Sequence, residues 1–112
     1  MNVMAQPDAV KPDRFIQKKV VEPVAESVAQ LAENVIGLSE VALEGRRNPG
    51  IRTEETNLGN LVADALLAQA TLLATNEGLP VPDVALQNGG GIRNNSLIPV
   101  GEITELTTFD IL

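Results

Sequence analysis

The sequence contains no histidine and no cysteine, and these two absences exclude most hydrolytic chemistry within the chain. Imidazole is a common ligand of catalytic metals and the usual acid–base group near neutral pH. A thiolate is the other common nucleophile and metal ligand. We therefore predict that the chain has no catalytic residue, no metal site and no cofactor of its own, and that it is inactive by itself. The redox compartment stays open, because exported and reduced proteins can both lack cysteine.

Aromatic and basic residues are also scarce. The chain has no Trp, no Tyr and two Phe, so its core must be aliphatic and it can hardly stack on nucleic-acid bases. The formal net charge of -7 disfavours a nucleic-acid polymer as partner, because tracking a phosphate backbone needs a basic face. No run approaches the roughly 18 apolar residues of a spanning helix. The N-terminus also lacks the pattern of a signal peptide, so we predict no membrane partner.

The length of 112 residues fits a single domain, which we assign to residues 1–112. Apolar residues recur at helical spacing over 11–34 and predict a first helix. Pro23 lies inside this pattern, and it predicts either a kink or a late start near Glu22. A hydrophobic share of 44% and a charged share of 21% are typical of a globular protein.

A second helix is predicted by the clearest periodicity in the chain, over 58–73, with Thr53 or Thr56 as its cap. Short strands are predicted at several places. We expect an α+β fold in which the long helix packs on a mixed sheet. The predicted strands are 35–43, 84–87, 96–100 and 103–106, and a further apolar segment, 107–112, is expected to pair as a strand.

The only basic residues in the acidic C-terminal part of the chain are Arg52 and Arg93. One precedes the predicted start of the long helix and the other follows a glycine triplet, so both are presented from loops beside backbone N–H groups. Two guanidiniums and a helix N-terminus can bind a small anion. The alternative is that each arginine pairs with a neighbouring carboxylate such as Glu54, Glu55 or Asp83.

The glycine triplet at 89–91 follows the predicted strand at 84–87 and Asn88. It matches neither the dinucleotide-binding pattern nor a P-loop, which disfavours a dinucleotide fold. A tight turn or bulge is the simpler interpretation, in which the glycines permit positive φ or the close approach of another group. Asn88 either orients a sugar hydroxyl or only forms the turn.

Three segments together resemble the C-terminal domain of the 5′-nucleotidase / UDP-sugar hydrolase family. They are RTEETNLGNLVADA at 52–65, ALQNGGGIR at 85–93 and GEIT at 101–104, in the family's order and spacing. The resemblance covers about residues 11–112 and corresponds to the N-terminal portion of that domain, truncated. It implies a layered α/β/β/α arrangement that is incomplete in this chain.

The resemblance also implies a division of labour. In this family a separate N-terminal metallophosphatase domain carries two divalent metals and the catalytic His and Asp, while the C-terminal domain binds the nucleotide or a related small phosphoester. The chain is thus expected to be the substrate-binding part of a hydrolase. Arg52 and Arg93 are expected to contact the phosphate and sugar side of the substrate, Asn88 the ribose, and Gly90 and Gly91 belong to the same binding loop.

The ending of the chain departs from the family pattern. The family clamps the nucleobase with phenylalanines that lie beyond the segment 109–112, so the base-binding half of the site is expected to be absent and Phe109 is predicted to be a core residue. The open strand edge expected at 107–112 predicts self-association of the chain. By resemblance, the parent protein is expected to be periplasmic, secreted or at the cell surface.

Other functions stay open at this point. The parent protein could act on UDP-sugars, cyclic nucleotides or a thiosulfonate instead of a nucleotide. The chain could also be a free-standing binding or assembly module that kept the fold without catalysis.

Overall fold

The computed structural model describes residues 11–112, and the domain assignment of residues 1–10 lies outside the described residues. Helices and small antiparallel sheets together confirm the α+β class. In chain order the elements are α1 Arg14–Ile16, a π-helical turn Gln17–Val21, α2 Glu22–Glu33, β1 Val35–Ser39, β2 Leu43–Glu44, α3 Asn57–Glu77, β3 Leu97–Ile98, β4 Gly101–Thr104 and α4 Glu105–Ile111.

The first predicted helix is continuous from α1 through α2. It begins at Asp13, whose carboxylate accepts the backbone N–H groups of Phe15 and Ile16 at 2.9 and 3.0 Å. Pro23 has no N–H to donate, and the π-helical turn lies just before it, with the Glu22 N–H donating to the Gln17 carbonyl. A π-helical turn is one of the recognised causes of a helix irregularity. Pro23 thus follows a local widening of the helix, and the helix does not start late near Glu22.

The strands form two separate two-stranded antiparallel sheets, β1–β4 and β2–β3. In the first, Leu38 faces Glu102 and Ser39 faces Gly101. The single mixed sheet that we predicted is therefore wrong. The predicted strand at 35–43 is interrupted after Ser39, because the Ser39 hydroxyl donates to the Val41 carbonyl at 2.7 Å and closes a turn. Its two halves consequently pair with different partners.

Two further predictions of strands are wrong. Residues 84–87 have no regular secondary structure and no ladder partner within the described residues, and Leu86 is 91% exposed. Residues 107–112 belong largely to α4 and not to a strand. Thr104 and Thr107 cap this helix reciprocally, and such a capping box satisfies two backbone donors that a helix start otherwise leaves unpaired. Local capping therefore decided the structure of this apolar segment.

The long helix α3 confirms the periodicity read from the sequence. The Thr56 hydroxyl, and not that of Thr53, accepts the Gly59 N–H at 3.1 Å. Gly78 ends the helix in the left-handed region at φ 65°, which glycine adopts without a Cβ penalty. The helix is long and apolar enough to cross a membrane, with a window of mean hydropathy 1.3, so the expected absence of such a stretch is wrong by this measure. Its Leu58 and Val62 nevertheless pack in the protein core.

The core is aliphatic, as predicted. Its buried members come from β2, α3, β3, α4 and two loops. Phe109, predicted to be a core residue, is 66% exposed instead, because α4 turns Ile111 inward. The buried cluster is Leu43, Ile51, Leu58, Val62, Ile92, Ile98 and Ile111, of which Leu58 is 0% and Ile92 1% exposed.

A shallow apolar groove of about 370 Å³ lies beside this core, between α3, the β1–β4 sheet and α4. Large exposed side chains line it, among them Ile36, Leu61, Leu66 and Leu112.

Candidate functional site

Each predicted cation directly follows a buried isoleucine. Ile51 precedes Arg52 and Ile92 precedes Arg93, and both isoleucines pack in the same hydrophobic cluster with Leu58. Both arginines are exposed. The core therefore fixes the backbone from which each guanidinium leaves, without burying the guanidinium itself.

The glycine turn lies directly against the loop that carries Arg52. A Cβ atom at Gly89 would lie 2.2 Å from the Ile51 carbonyl oxygen and 3.3 Å from the Arg52 Cα, and no side chain other than hydrogen fits in that space. None of the three glycines has φ in the left-handed region. Of the two reasons for the triplet that the sequence suggested, the structure therefore supports close approach and not positive φ.

The turn itself is closed by one backbone hydrogen bond, in which the Gly91 N–H donates to the Asn88 carbonyl at 2.9 Å. This confirms the interpretation as a tight turn. The Asn88 side chain is exposed, and its amide nitrogen would lie 3.2 Å from a Cβ at Gly90. Asn88, Gly90 and Gly91 thus share one turn, which continues into Ile92.

The loop before α3 is held by its own backbone. The Thr53 and Glu54 N–H groups both donate to the Gly50 carbonyl at 2.8 Å, and the Ile51 N–H donates to the Arg46 carbonyl at 2.9 Å. The Asn57 side chain joins the start of α3 to β2, accepting from the Glu44 N–H at 2.8 Å and donating to the Ala42 carbonyl at 2.8 Å.

The alternative in which the two cations are neutralised locally is not observed. Within residues 11–112 neither Arg52 nor Arg93 forms an ion pair with a carboxylate, and the ion pair present joins Arg46 and Glu44. The hydrogen bond donated by the Arg46 side chain, and then that of its backbone N–H, lowers the pKa of Glu44 to about 2. Arg46 is thus occupied, whereas Arg52 and Arg93 stay available to a ligand.

The backbone at Arg93 is held on both sides. Its N–H donates to the Ile111 carbonyl at 2.8 Å, and its carbonyl accepts from an Nη of Arg47 at 3.3 Å. Sequence reasoning did not identify Arg47. Arg46 and Arg47 are adjacent residues of the same type, and the sequence does not show which of the two side chains lies between the loops. Only the contact itself distinguishes them.

A cleft of about 230 Å³ lies beside Gly89 of the glycine turn. Its walls are the start of α3 and the segment 85–87 before the turn, and they include Glu55, Asn60 and Gln87. Gly89 forms part of the cleft wall, but Arg52, Asn88 and Arg93 do not. The predicted site residues therefore lie outside this cleft. Gln87, in the same motif, is a cleft residue that the sequence reasoning missed.

Metal ligands are not grouped in the described part of the chain. Within residues 11–112 there is no cluster of three or more acidic side chains that could hold a metal ion, and the sequence has no His or Cys to add to one.

Comparison with known proteins assigns this α+β fold and its glycine turn to a family. Residues 35–112 match the family described as the 5′-nucleotidase, C-terminal domain, and the chain belongs to this family. The helix formed by α1, the π-helical turn and α2 lies outside the matched residues. The match includes the loop of Arg52, the glycine turn and Arg93.

Two relatives support this assignment. The chain is 34% identical over 95 residues to the Trifunctional nucleotide phosphoesterase protein YfkN of Bacillus subtilis (strain 168), an alignment that covers 82% of the chain and 6% of that protein. It is 38% identical to a 5′-nucleotidase precursor from Thermus thermophilus, with a TM-score of 0.65 over 90% of this chain and 18% of that structure. The chain thus spans a small part of the length of each relative.

Proposed function

We propose that this chain supplies nucleotide-binding groups to a metal-dependent 5′-nucleotidase-type phosphoester hydrolase, and that it is inactive by itself. The observation that carries the proposal is the backbone contact between Gly89 and Ile51, because it brings the loop of Arg52 against the turn that leads to Arg93. Both guanidiniums are exposed and unpaired with carboxylates within residues 11–112. Family membership and the names of the two relatives, a nucleotide phosphoesterase and a 5′-nucleotidase, support it.

Each residue has a role that its chemistry permits. Arg52 and Arg93 donate charge-assisted hydrogen bonds to the phosphate and sugar side of the substrate. The Asn88 amide bonds the ribose hydroxyls, since it can both donate and accept. Gly90 leaves the backbone of the turn accessible to the substrate, since its nearest neighbour is the movable Asn88 amide, whereas the Gln87 amide lies beside Gly91 and would move aside for a ligand that approaches there.

The hydrolytic step belongs to another part of the parent protein. The described residues do not fit a pair of divalent metals, because residues 11–112 offer no cluster of metal ligands. We therefore assign both metals to a separate N-terminal metallophosphatase domain, where they would supply an activated water. The parent protein is expected to be exported, in the periplasm, secreted or at the cell surface.

The proposal is tested by combining an activity assay with a binding assay on the 112-residue chain. With AMP and added divalent metals, we expect no release of phosphate. In amide NMR spectra, titration with AMP should shift the resonances of the Arg52 loop and the glycine turn. Arg52→Ala and Arg93→Ala should each weaken AMP binding by at least about tenfold, because a hydrogen bond to a charged group is worth about 1.5–3 kcal/mol.

Arg46→Ala is the matched control, since it removes the same charge from an arginine that is already paired with Glu44. It should leave AMP binding unchanged. Phosphate release that co-purifies with the chain would contradict the expected inactivity. Unchanged AMP binding in Arg93→Ala, together with a lowered melting temperature, would assign Arg93 a structural role.

Self-association of the isolated chain is a further part of the proposal, but on a different surface from the one that the sequence suggested. The strand edge expected at 107–112 does not exist, since these residues lie largely in α4. The apolar groove beside α3 is exposed instead. Covering a few hundred Å² of apolar surface is worth several kcal/mol at about 25 cal/mol per Å², so we propose that a second copy covers this groove.

A further inference from the structure

Arg47 is inserted between two loops, unlike the other arginines near the proposed site. Its residue is half-buried and its Nε is buried, whereas Arg46, Arg52 and Arg93 are exposed. An Nη of Arg47 donates to the Arg93 carbonyl at 3.3 Å. The Arg47 backbone N–H donates to the Asn95 Oδ1 at 3.1 Å. Arg47 thus contacts both neighbours of Asn94: the Arg93 carbonyl before it and the Asn95 side chain after it.

The two loops are also in contact at Gly45, which lies against Asn94 and Ser96. The Gly45 N–H donates to the Ser96 carbonyl at 3.2 Å. A Cβ at Gly45 would lie 2.4 Å from the Asn94 side chain, so the Asn94 amide fills the space that glycine leaves. Asn95 has φ 48°, a left-handed conformation that asparagine adopts more readily than most residues. The path of the chain just after Arg93 is therefore fixed by its contacts with the loop that contains Arg47.

The opposite side of the same backbone is fixed by α4, through the hydrogen bond from the Arg93 N–H to the Ile111 carbonyl at 2.8 Å. The peptide groups on both sides of the Arg93 Cα are thus held, one by the end of α4 and one by Arg47. The direction in which the Arg93 side chain leaves the backbone follows from the position of these two peptide groups.

We propose that Arg47 is a positioning residue for ligand binding, which orients Arg93 by holding its carbonyl and the turn at Asn95, without contacting the ligand. The inference rests on the proposed function, since it concerns how Arg93 meets a phosphate-bearing ligand. It gives two adjacent arginines different roles. Arg46 forms an exposed ion pair with Glu44, and Arg47 holds the backbone of Arg93.

The test measures AMP binding to the 112-residue chain by NMR titration. Arg47→Ala should weaken binding by about tenfold, the size of effect that loss of a charged hydrogen bond produces. Arg46→Ala, which has the same change in charge one residue away, should change it by less than about twofold. Arg47→Lys should recover part of the affinity, because an ammonium can still donate to the Arg93 carbonyl. Without ligand, Arg47→Ala but not Arg46→Ala should shift the amide resonances of 93–95.

A double-mutant cycle distinguishes positioning from direct contact. If Arg47 acts through Arg93, Arg47→Ala should have less than about a twofold effect on AMP binding in a chain that already carries Arg93→Ala. Independent effects that multiply would overturn the inference, because they would show that Arg47 contacts the ligand itself. An unchanged affinity in Arg47→Ala would also overturn it. If instead Arg52→Ala and Arg93→Ala have no effect on affinity, the proposed function fails and the positioning role falls with it.

Discussion

Replacing Gly89 by alanine tests the contact on which the proposed site depends. The new Cβ would lie 2.2 Å from the Ile51 carbonyl oxygen, far inside the separation at which a carbon and an oxygen make ordinary contact. The atom it meets is backbone and not the flexible end of a side chain. The loop of Arg52 and the glycine turn must therefore separate, by about 1 Å, before the substituted chain can fold.

The expected cost follows from overpacking. Forcing an extra methyl group into a closely packed contact typically costs about 1–3 kcal/mol, which is a large part of the roughly 5–15 kcal/mol that stabilises a small domain. Because Ile51 and Ile92 both belong to the core, the displacement should also disturb their packing. We expect the midpoint of urea unfolding, followed by far-UV circular dichroism, to fall accordingly. We also expect AMP binding to weaken, because the loop of Arg52 moves away from the turn that leads to Arg93.

Gly90→Ala is the matched control in the same turn. There the nearest atom to a new Cβ is the Asn88 amide nitrogen at 3.2 Å, at the end of a side chain that can move. Both substitutions reduce the conformational entropy of the unfolded chain equally, which is worth about 0.4–1 kcal/mol of stability. The difference in unfolding free energy between the two variants therefore measures the clash alone. The reasoning is refuted if Gly89→Ala is as stable as the unsubstituted chain, or if Gly90→Ala lowers the midpoint of urea unfolding as much as Gly89→Ala does.

The packing and the charges support three other predictions. Leu58→Ala should lower the free energy of unfolding by about 2–5 kcal/mol, and Leu66→Ala, at a more exposed position of the same helix, by clearly less, both measured in urea. The pKa of Glu44, about 2, lies below its ordinary value of 4.5, so the stability that its ion pair contributes is fully present above that ordinary value and is lost as the pH falls towards 2. Arg46→Ala should return the Glu44 pKa towards its ordinary value in an NMR titration of the carboxyl group. Light scattering after size exclusion should show a dimer that Leu61→Glu dissociates, whereas an unsubstituted monomer of 11.9 kDa would contradict self-association.

The parts of the fold that the sequence predicted are those fixed by neighbouring residues. Helix α3 has helical periodicity with Thr56 and Gly78 at its two ends, and the glycine triplet does form a turn. The wrong predictions concern long-range pairing. An apolar segment such as 84–87 forms a strand only if another strand lies beside it, and none does within the described residues. In 107–112, capping at Thr104 outweighed an apolar content that strands and helices share.

The proposed site could be predicted only in part for the same reason. The arginines were identified because cations are rare in that part of the sequence, and the triplet indicated a close approach without naming what approaches. That it is the Ile51 carbonyl depends on both isoleucines reaching the same core. The role of Arg47 depends on a contact with Arg93, 46 residues away, which no local pattern indicates.

The repeated pair of a buried isoleucine followed by an exposed arginine explains why the site is built around the core. Both guanidiniums are exposed, so the position of each arginine backbone depends on the buried isoleucine that precedes it. Burying Ile51 and Ile92 contributes about 1.5–3 kcal/mol each. Gly89, which lets the two loops touch, costs about 0.4–1 kcal/mol because glycine leaves more freedom to the unfolded chain than alanine does. Burying the two isoleucines therefore outweighs the cost of the glycine that lets their loops touch, and the core can hold both arginines on adjoining loops.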